Sequence, residues 1–262
     1  MIYEITSLKN EWVKRAASLK QKKYRVREGL FLVEGKRAVA EAKASCWAID
    51  SYFYTKLPEG WEDPETSPQT YYHVTDAVFR KAADTEDPQG IGALVRMPEK
   101  SLRDFAPEKG LVLVLAGIQD PGNAGTLIRS ADAMGSVGVI CLDGTVDLYN
   151  PKVVRSTMGS LFHLPVFTNV AVRELADWSR AGHVPLWATA LAGAEDVTRL
   201  AFPPCSALIL GSEGNGVPEV LLAMADKKVK IPMYGHAESL NVAIAGSILL
   251  FAAATNTVNS EQ

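Results

Sequence analysis

A chain of 262 residues, 47% hydrophobic and 22% charged, is long enough for two small folding units and has the composition of a soluble globular protein. Its formal net charge of −3 excludes a uniformly basic coat for nucleic acid, yet residues 1–40 hold ten Lys and Arg against four Glu, a surplus of six that leaves the remainder at −9. No secretory leader is expected from the polar N-terminus, and three scattered cysteines (Cys46, Cys141, Cys205) without zinc spacing fit reduced thiols in a cytoplasmic protein.

The first predicted element is a helix over residues 5–23, with Ser7 and Asn10 as candidate caps and Trp12, Val13, Ala16, Ala17 and Leu19 as an imperfect apolar stripe. Residues 30–33 read as a strand, 34–44 as a helix opened by Glu34-Gly35, and 48–54 as a second strand. A Pro- and Glu-rich loop over 58–68 leads to a short strand at 71–74, a helix at 75–83 and a last strand at 91–95. This alternation predicts a small α/β sandwich over residues 1–97. Its basic surplus, with Lys20, Lys22, Lys23, Arg25 and Arg37, is a candidate phosphate-contacting face; the alternative is a solvated helix surface.

Residues 98–109, with two prolines and dense charge, read as a linker. Beyond it, strands at 111–116, 137–142, 184–189 and 206–210 alternate with helices near 123–134, 151–160, 171–181 and 217–225. That pattern predicts a largely parallel sheet covered by helices on both faces. Ser239 is a good N-cap for an apolar helix over 242–254, too short to span a bilayer and expected in the core.

Three segments carry the chemistry. Residues 111–135 (LVLVLAGIQDPGNAGTLIRSADAMG) and 207–218 (ALILGSEGNGVP) are apolar runs that break into Gly, Asn and acidic residues. Residues 231–251 (IPMYGHAESLNVAIAGSILLF) run a polar cluster into a helix, whose free first-turn N–H groups suit an anionic or polar ligand. Glycines near Gly211 let backbone approach a flat ligand. The spacing Gly211-x-x-Gly214-x-Gly216 reverses GxGxxG and comes late in the chain, which argues against an ordinary dinucleotide fold. Arg129 lies two turns into its helix, where a guanidinium can grip phosphate bidentately. Asn123 and Asn241 can orient polar groups or serve as turn and cap residues. Glu213 has three candidate donors: Asn123, a substrate hydroxyl, or backbone N–H. Ser239 is a cap, a substrate contact, or both. His73, His163, His183 and His236 share no spacing that suggests a metal site, and structural or solvent roles are expected.

Taken in order, Asn123-x-Gly125-x-x-x-Arg129-x-Ala131, Gly211-x-Glu213-x-x-Gly216, and Ile231-Pro232 with Ser239-Leu240-Asn241 closely resemble the three signature motifs of the SpoU (TrmH) family of RNA ribose 2′-O-methyltransferases. The resemblance implies an α/β chain whose C-terminal domain, residues 110–262, is a knotted (deep trefoil) methyltransferase with a mostly parallel sheet. It implies an N-terminal RNA-binding domain over 1–97, with residues 31–37 and 87–91 as landmarks. S-adenosyl-L-methionine would be held by Gly211, Gly216, Ile231 and Leu240, with Thr189 and Ala190 after the preceding strand; plain core packing is the alternative for Ile231 and Leu240. Arg129 would be catalytic, with Asn123, Glu213, Ser239 and Asn241 around it. Lys152 and Arg155, in a stretch similar to the family's, would touch the RNA backbone. The expected partners are RNA, ribosomal in preference to transfer RNA, and a second copy in a cytoplasmic homodimer, with no metal and no membrane. A transfer-RNA enzyme and a catalytically silent RNA-binding protein on the same fold are the alternatives, the latter disfavoured by the intact polar set.

Overall fold

The computed structural model of the chain describes residues 1–256 apart from Asp84 and Glu86. These sort into two compact units: Met1–Glu99 with Tyr149–Phe162, and Lys100–Leu148 with the chain from His163 onward.

In the first unit the chain runs β1 (Ile2–Ile5), α1 (Glu11–Ser18), α2 (Lys22–Glu28), β2 (Leu30–Glu34), α3 (Lys36–Ala44), β3 (Ile49–Tyr54), β4 (Tyr71–Val74), α4 (Asp76–Ala83) and β5 (Ile91–Arg96). The strands form one sheet in the order β1-β4-β3-β5-β2, with β4 parallel to β1 and β3, and β5 antiparallel to β3 and β2. Alternate residues of β2 face opposite ways, as a pleated strand requires. Leu30 and Leu32 join the core under α1 and α4, with Trp12, Val13, Phe53 and Phe79. Phe31, on the other face, packs against Tyr149 and Phe162, with ring centroids 4.9 and 6.3 Å away. The two sequence landmarks meet at the start of α3. Gly35 N donates to Ile91 O at 3.1 Å, and Lys36 N donates to Gln89 Oε1 at 3.0 Å. Gln89 thus caps a helix whose own N-cap, Gly35 at φ +97, has no side chain to offer.

The helix expected over residues 5–23 is instead three elements. Residues 2–5 add an edge strand beside β4. Asn10 caps α1 by accepting from Trp12 N at 2.8 Å, while Ser7 only forms a turn with Lys9 N. The chain then breaks at residues 19–21 before α2. Arg25 bridges the break. It is buried, at 2% exposure, and its Nη1 donates at 2.6 Å to the Leu19 carbonyl, one of the acceptors left open at the end of α1. Arg25 is therefore a fold residue, and its expected place on an RNA-facing surface is corrected. The basic surplus of the segment is also partly spent internally. Glu28 pairs with Arg27 at 2.8 Å and with Arg15 at 3.1 Å, bonds that hold its carboxyl below the usual range.

The second unit contains a 3-10 turn Leu102–Asp104, then β6 (Gly110–Ala116), α5 (Pro121–Ala133) and β7 (Gly138–Leu142). The segment with α6 (Pro151–Thr157) belongs to the first unit. The chain resumes with β8 (Val166–Val170), α7 (Val172–Gly182), β9 (Leu186–Thr189), β10 (Glu195–Asp196), β11 (Cys205–Gly211), α8 (Glu219–Met224), β12 (Lys227–Lys230) and α9 (Val242–Thr255). All seven strands are parallel, in the order β10-β12-β9-β11-β6-β7-β8. Val112, Val114, Ala207 and Ile209 pack on one face with Leu175 and Trp178 of α7 and Leu221 of α8. The other face carries α5 and α9. Gly246 lets α9 approach: a Cβ there would lie 2.3 Å from Leu127 and 2.6 Å from Leu210. Strands β8, β10 and β12 add to the four that the sequence pattern predicts. β12 reads Lys-Lys-Val-Lys and buries only Val229, so it shows no apolar run. Part of the expected linker also packs here, since Leu102 is buried and Trp178 Nε1 donates to Phe105 O at 2.6 Å.

Two expectations for the last helix are corrected. Its N-cap is Asn241, not Ser239, because Asn241 Oδ1 accepts from Ala243 N and Ile244 N at 2.9 and 3.3 Å. It is also only half a core helix: Leu249 and Leu250 are buried, but Ile244 and Phe251 are 54% and 57% exposed.

Removing the buried guanidinium leaves the Leu19 carbonyl without this donor. Arg25→Ala is expected to destabilise the first unit by about 2 kcal/mol, whereas Lys23→Ala on the exposed face of α2 should change it by less than about 0.5 kcal/mol. Urea unfolding of the two variants checks this; equal small effects would return Arg25 to the surface.

Candidate active site

Parallel strands bring their carboxyl ends to one edge of the sheet, where ligands of open α/β folds bind. Here β12, β9, β11 and β6 are consecutive neighbours. Their ends therefore line up Ile231, Thr189 with Ala190, Gly211, and Gly117 along one rim. Thr189 and Ala190 are tied into it: Thr189 Oγ1 donates to Ile209 O at 3.3 Å and Ala190 N to Val229 O at 3.1 Å. Beyond β11 the chain doubles back. Ser212 N donates to Gly216 O and Gly216 N to Ser212 O, at 3.1 and 3.0 Å. Gly211 is required by this loop, because a Cβ would fall 2.0 to 2.2 Å from backbone atoms of Gly216 and Val217. Gly216 itself, at φ +65, faces open space. Ile231 and Leu240 are half-buried, and Ser239 is exposed in the loop between them and α9.

The three sequence motifs meet at Asn123. Asp120 caps α5 by accepting from Asn123 N at 2.8 Å, which fixes Asn123 in the first turn. Asn123 Nδ2 donates to Glu213 Oε1 at 2.7 Å, and Asn123 Oδ1 accepts from Asn241 Nδ2 at 3.1 Å. The direction of this chain is set at one end. The Asn241 oxygen must face the N–H groups it caps, so its nitrogen faces Asn123, and the Asn123 nitrogen is left for the carboxylate. Of the three acceptor roles open to Glu213, the structure shows the bond from Asn123.

Arg129 stands two turns further along α5, exposed, and its guanidinium makes no hydrogen bond or ion pair among the described residues. The helix is held beneath it by Ala124, Leu127, Ile128 and Ala131, and by a 2.7 Å contact between the Ser130 and Ser247 hydroxyls. Ser247 already donates to Ala243 O, so Ser130 supplies that proton. The loop before α5 is held by a residue that sequence reasoning missed. Thr145, after β7, accepts from Gly117 N at 3.1 Å and donates to Leu115 O at 2.9 Å. A single Thr in a loop carries no pattern that would reveal this.

The structure thus gathers Asn123, Glu213 and Asn241 by direct bonds, and sets Gly211, Gly216, Thr189, Ala190 and Ile231 along one rim. The expected RNA contacts lie in the first unit. Lys22, Lys23, Arg37 and Lys152 are exposed, Lys20 and Arg155 are half-buried, and Lys23 and Arg27 flank the Tyr24 ring at 4.7 and 4.9 Å. Among the described residues no group of His, Cys, Asp and Glu could hold a metal ion, and no helix is long and apolar enough to cross a membrane.

Comparison with known proteins gives two family matches: the SpoU rRNA methylase family over residues 110–251, and the MRM3-like substrate binding domain over residues 10–93. The chain is 39% identical to the 23S rRNA (guanosine(2553)-2′-O)-methyltransferase RlmP of Bacillus subtilis (strain 168), covering 95% of this chain and 98% of that protein. It is 31% identical to the 23S rRNA (uridine(2479)-2′-O)-methyltransferase of Streptomyces viridochromogenes, covering 97% and 93%. The crystal structure of an AdoMet-bound rRNA methyltransferase from Sinorhizobium meliloti superposes with a TM-score of 0.88 at 33% identity, covering 96% of this chain and 97% of that one.

The double duty of Asn241 can be separated. Asn241→Asp keeps an oxygen for the cap, so the unfolding free energy should stay within about 0.5 kcal/mol, whereas Asn241→Ala should lose about 1 kcal/mol. Both variants lose the donor to Asn123, so hydrogen exchange around Glu213 should quicken in both. Equal exchange in wild type and variants would show that the amide bridge does not hold the loop.

Proposed function

The chain belongs to the SpoU rRNA methylase family, and on that footing we propose that it transfers a methyl group from S-adenosyl-L-methionine to a ribose 2′-OH of ribosomal RNA. The observation that carries this reading is the bonded set Asn123, Glu213 and Asn241, with Arg129 two turns along the same helix and unpaired among the described residues. Only RNA offers the acceptor hydroxyl.

Bound S-adenosylmethionine would supply an electrophilic methyl together with its own leaving group, so the protein's work is holding and aiming. Backbone groups of residues 189–190 and 211–216, with half-buried Ile231 and Leu240, suit a flat purine and an apolar-flanked sulfonium. Gly214 and Gly216 leave open space where side chains would stand. Arg129 grips the phosphate beside the target ribose and steadies charge as the hydroxyl attacks. It does not take the proton itself, because a guanidinium stays protonated in proteins. Our reading gives that proton to the phosphate that Arg129 holds. Asn123, fixed at both ends, sets the first turn of α5 and hence the direction of Arg129. Ser239, exposed beside Asn241, is left to touch the substrate. Good positioning alone contributes roughly 7–11 kcal/mol to such a reaction.

The same reading takes residues 1–97 as the RNA-presenting domain, 98–109 as the connection and 110–262 as the methyltransferase. Lys20, Lys22, Lys23, Arg37, Lys152 and Arg155 meet the RNA backbone. The C-terminal segments form a trefoil knot, and two copies associate in the cytoplasm through the open face of α9, where Ile244, Ile248 and Phe251 form an apolar stripe.

Arg129→Ala is expected to leave S-adenosylmethionine affinity unchanged by calorimetry and to lower the transfer rate on ribosomal RNA by on the order of a hundredfold or more. Wild-type turnover in that variant would remove Arg129 from the chemistry.

A further inference from the structure

Arg129 has a competitor on its own helix. Asp132 follows it by three residues within α5, and i,i+3 positions are neighbours on a helix surface. Helical side chains also lean toward the N-terminus, which tips Asp132 over the turn that carries Arg129. A free carboxylate there would pair with the guanidinium, cancel its charge and draw it down along the helix. The structure shows another arrangement. Asp132 Oδ2 lies 2.8 Å from His163 Nδ1, and Arg129 is left without a partner among the described residues. The contact is partly shielded, with the Asp132 side chain 25% and the His163 side chain 39% exposed. His163 is the first residue of the chain's return to the second unit after Tyr149–Phe162, so an otherwise unremarked loop residue reaches the one carboxylate able to trap Arg129 from its own helix.

We propose that His163 is a positioning residue: by engaging Asp132 it keeps that carboxylate off Arg129 and leaves the guanidinium free for the RNA phosphate. A neutral imidazole with its proton on Nδ1 is sufficient, since its N–H holds Oδ2 and with it the direction of the carboxylate. The inference rests on the role given to Arg129 above.

Steady-state methylation of ribosomal RNA by the full chain tests it. His163→Ala should lower kcat/KM for RNA about fivefold, the upper end of what an exposed ion pair is worth, with S-adenosylmethionine affinity unchanged. His163→Gln, which keeps a side-chain N–H donor, should retain most activity. The double variant His163→Ala with Asp132→Asn decides the matter. If the carboxylate is the obstacle, neutralising it returns kcat/KM to within about twofold of wild type; if the bond merely anchors the loop, the double variant stays as slow as the single one. Wild-type kcat/KM in His163→Ala, no recovery in the double variant, or a fivefold loss in Asp132→Asn alone would each overturn the proposal. Should His163→Ala fail to fold, His163→Phe, which also lacks the donor, takes its place in the single and double variants with the same loss and recovery expected. An inactive wild type, or a fully active Arg129→Ala, would instead retire the functional reading beneath it.

Discussion

The carboxamide of Asn123 has two hydrogen-bonding ends, and each is claimed by a different stretch of chain. Glu213 takes the nitrogen and Asn241 supplies the oxygen's partner, while Asp120 holds the backbone between them. Segments 90 and 118 residues further along the chain are thereby locked to Asn123 at their polar ends. The lock has a fixed direction because it begins at a helix cap, where the Asn241 oxygen has no choice of partner. A network satisfied at every link rigidifies a site, and removing one link leaves the others misaligned.

The sheet makes that meeting possible. Parallel strands deliver the ends of β12, β9, β11 and β6 to one rim, and two glycines remove the obstacles. Gly246 lets α9 settle against α5, and Gly211 lets the following loop fold back on its own strand. Both roles are steric, since a methyl group at either position meets atoms well inside contact distance. The chemistry is then a matter of which polar groups are spent and which are kept. Glu213 and Asp120 are occupied within the protein, and Asp132 is occupied by His163. Among the described residues, Arg129 of α5 has no partner and keeps its charge unspent.

Much of this was legible in the sequence where a residue's own chemistry fixes its place. Apolar runs such as residues 111–116 and 206–210 announced buried parallel strands, and the resemblance of three motifs to a family's signatures singled out Asn123, Glu213 and Asn241, which direct bonds join. Other features depended on partners far along the chain. Arg25 reads as a surface cation until the Leu19 carbonyl is found beside it. Ser239 and Asn241 are both good caps, and only the backbone geometry chooses between them. β12 is a lysine-rich strand whose pairing with β9 outweighs its composition. Periodicity suggested one long helix over residues 5–23 because the strand at 2–5 is stabilised by pairing with β4, not by its own pattern.

Methyl transfer to a ribose hydroxyl at this site is open to a direct assay. The most direct measurement is transfer of label from methyl-labelled S-adenosylmethionine to ribosomal RNA, followed by digestion to nucleosides and mass analysis. Label is expected in a single 2′-O-methylated nucleoside, on the sugar. Label on a base, or none from a folded protein that binds the donor, would contradict it.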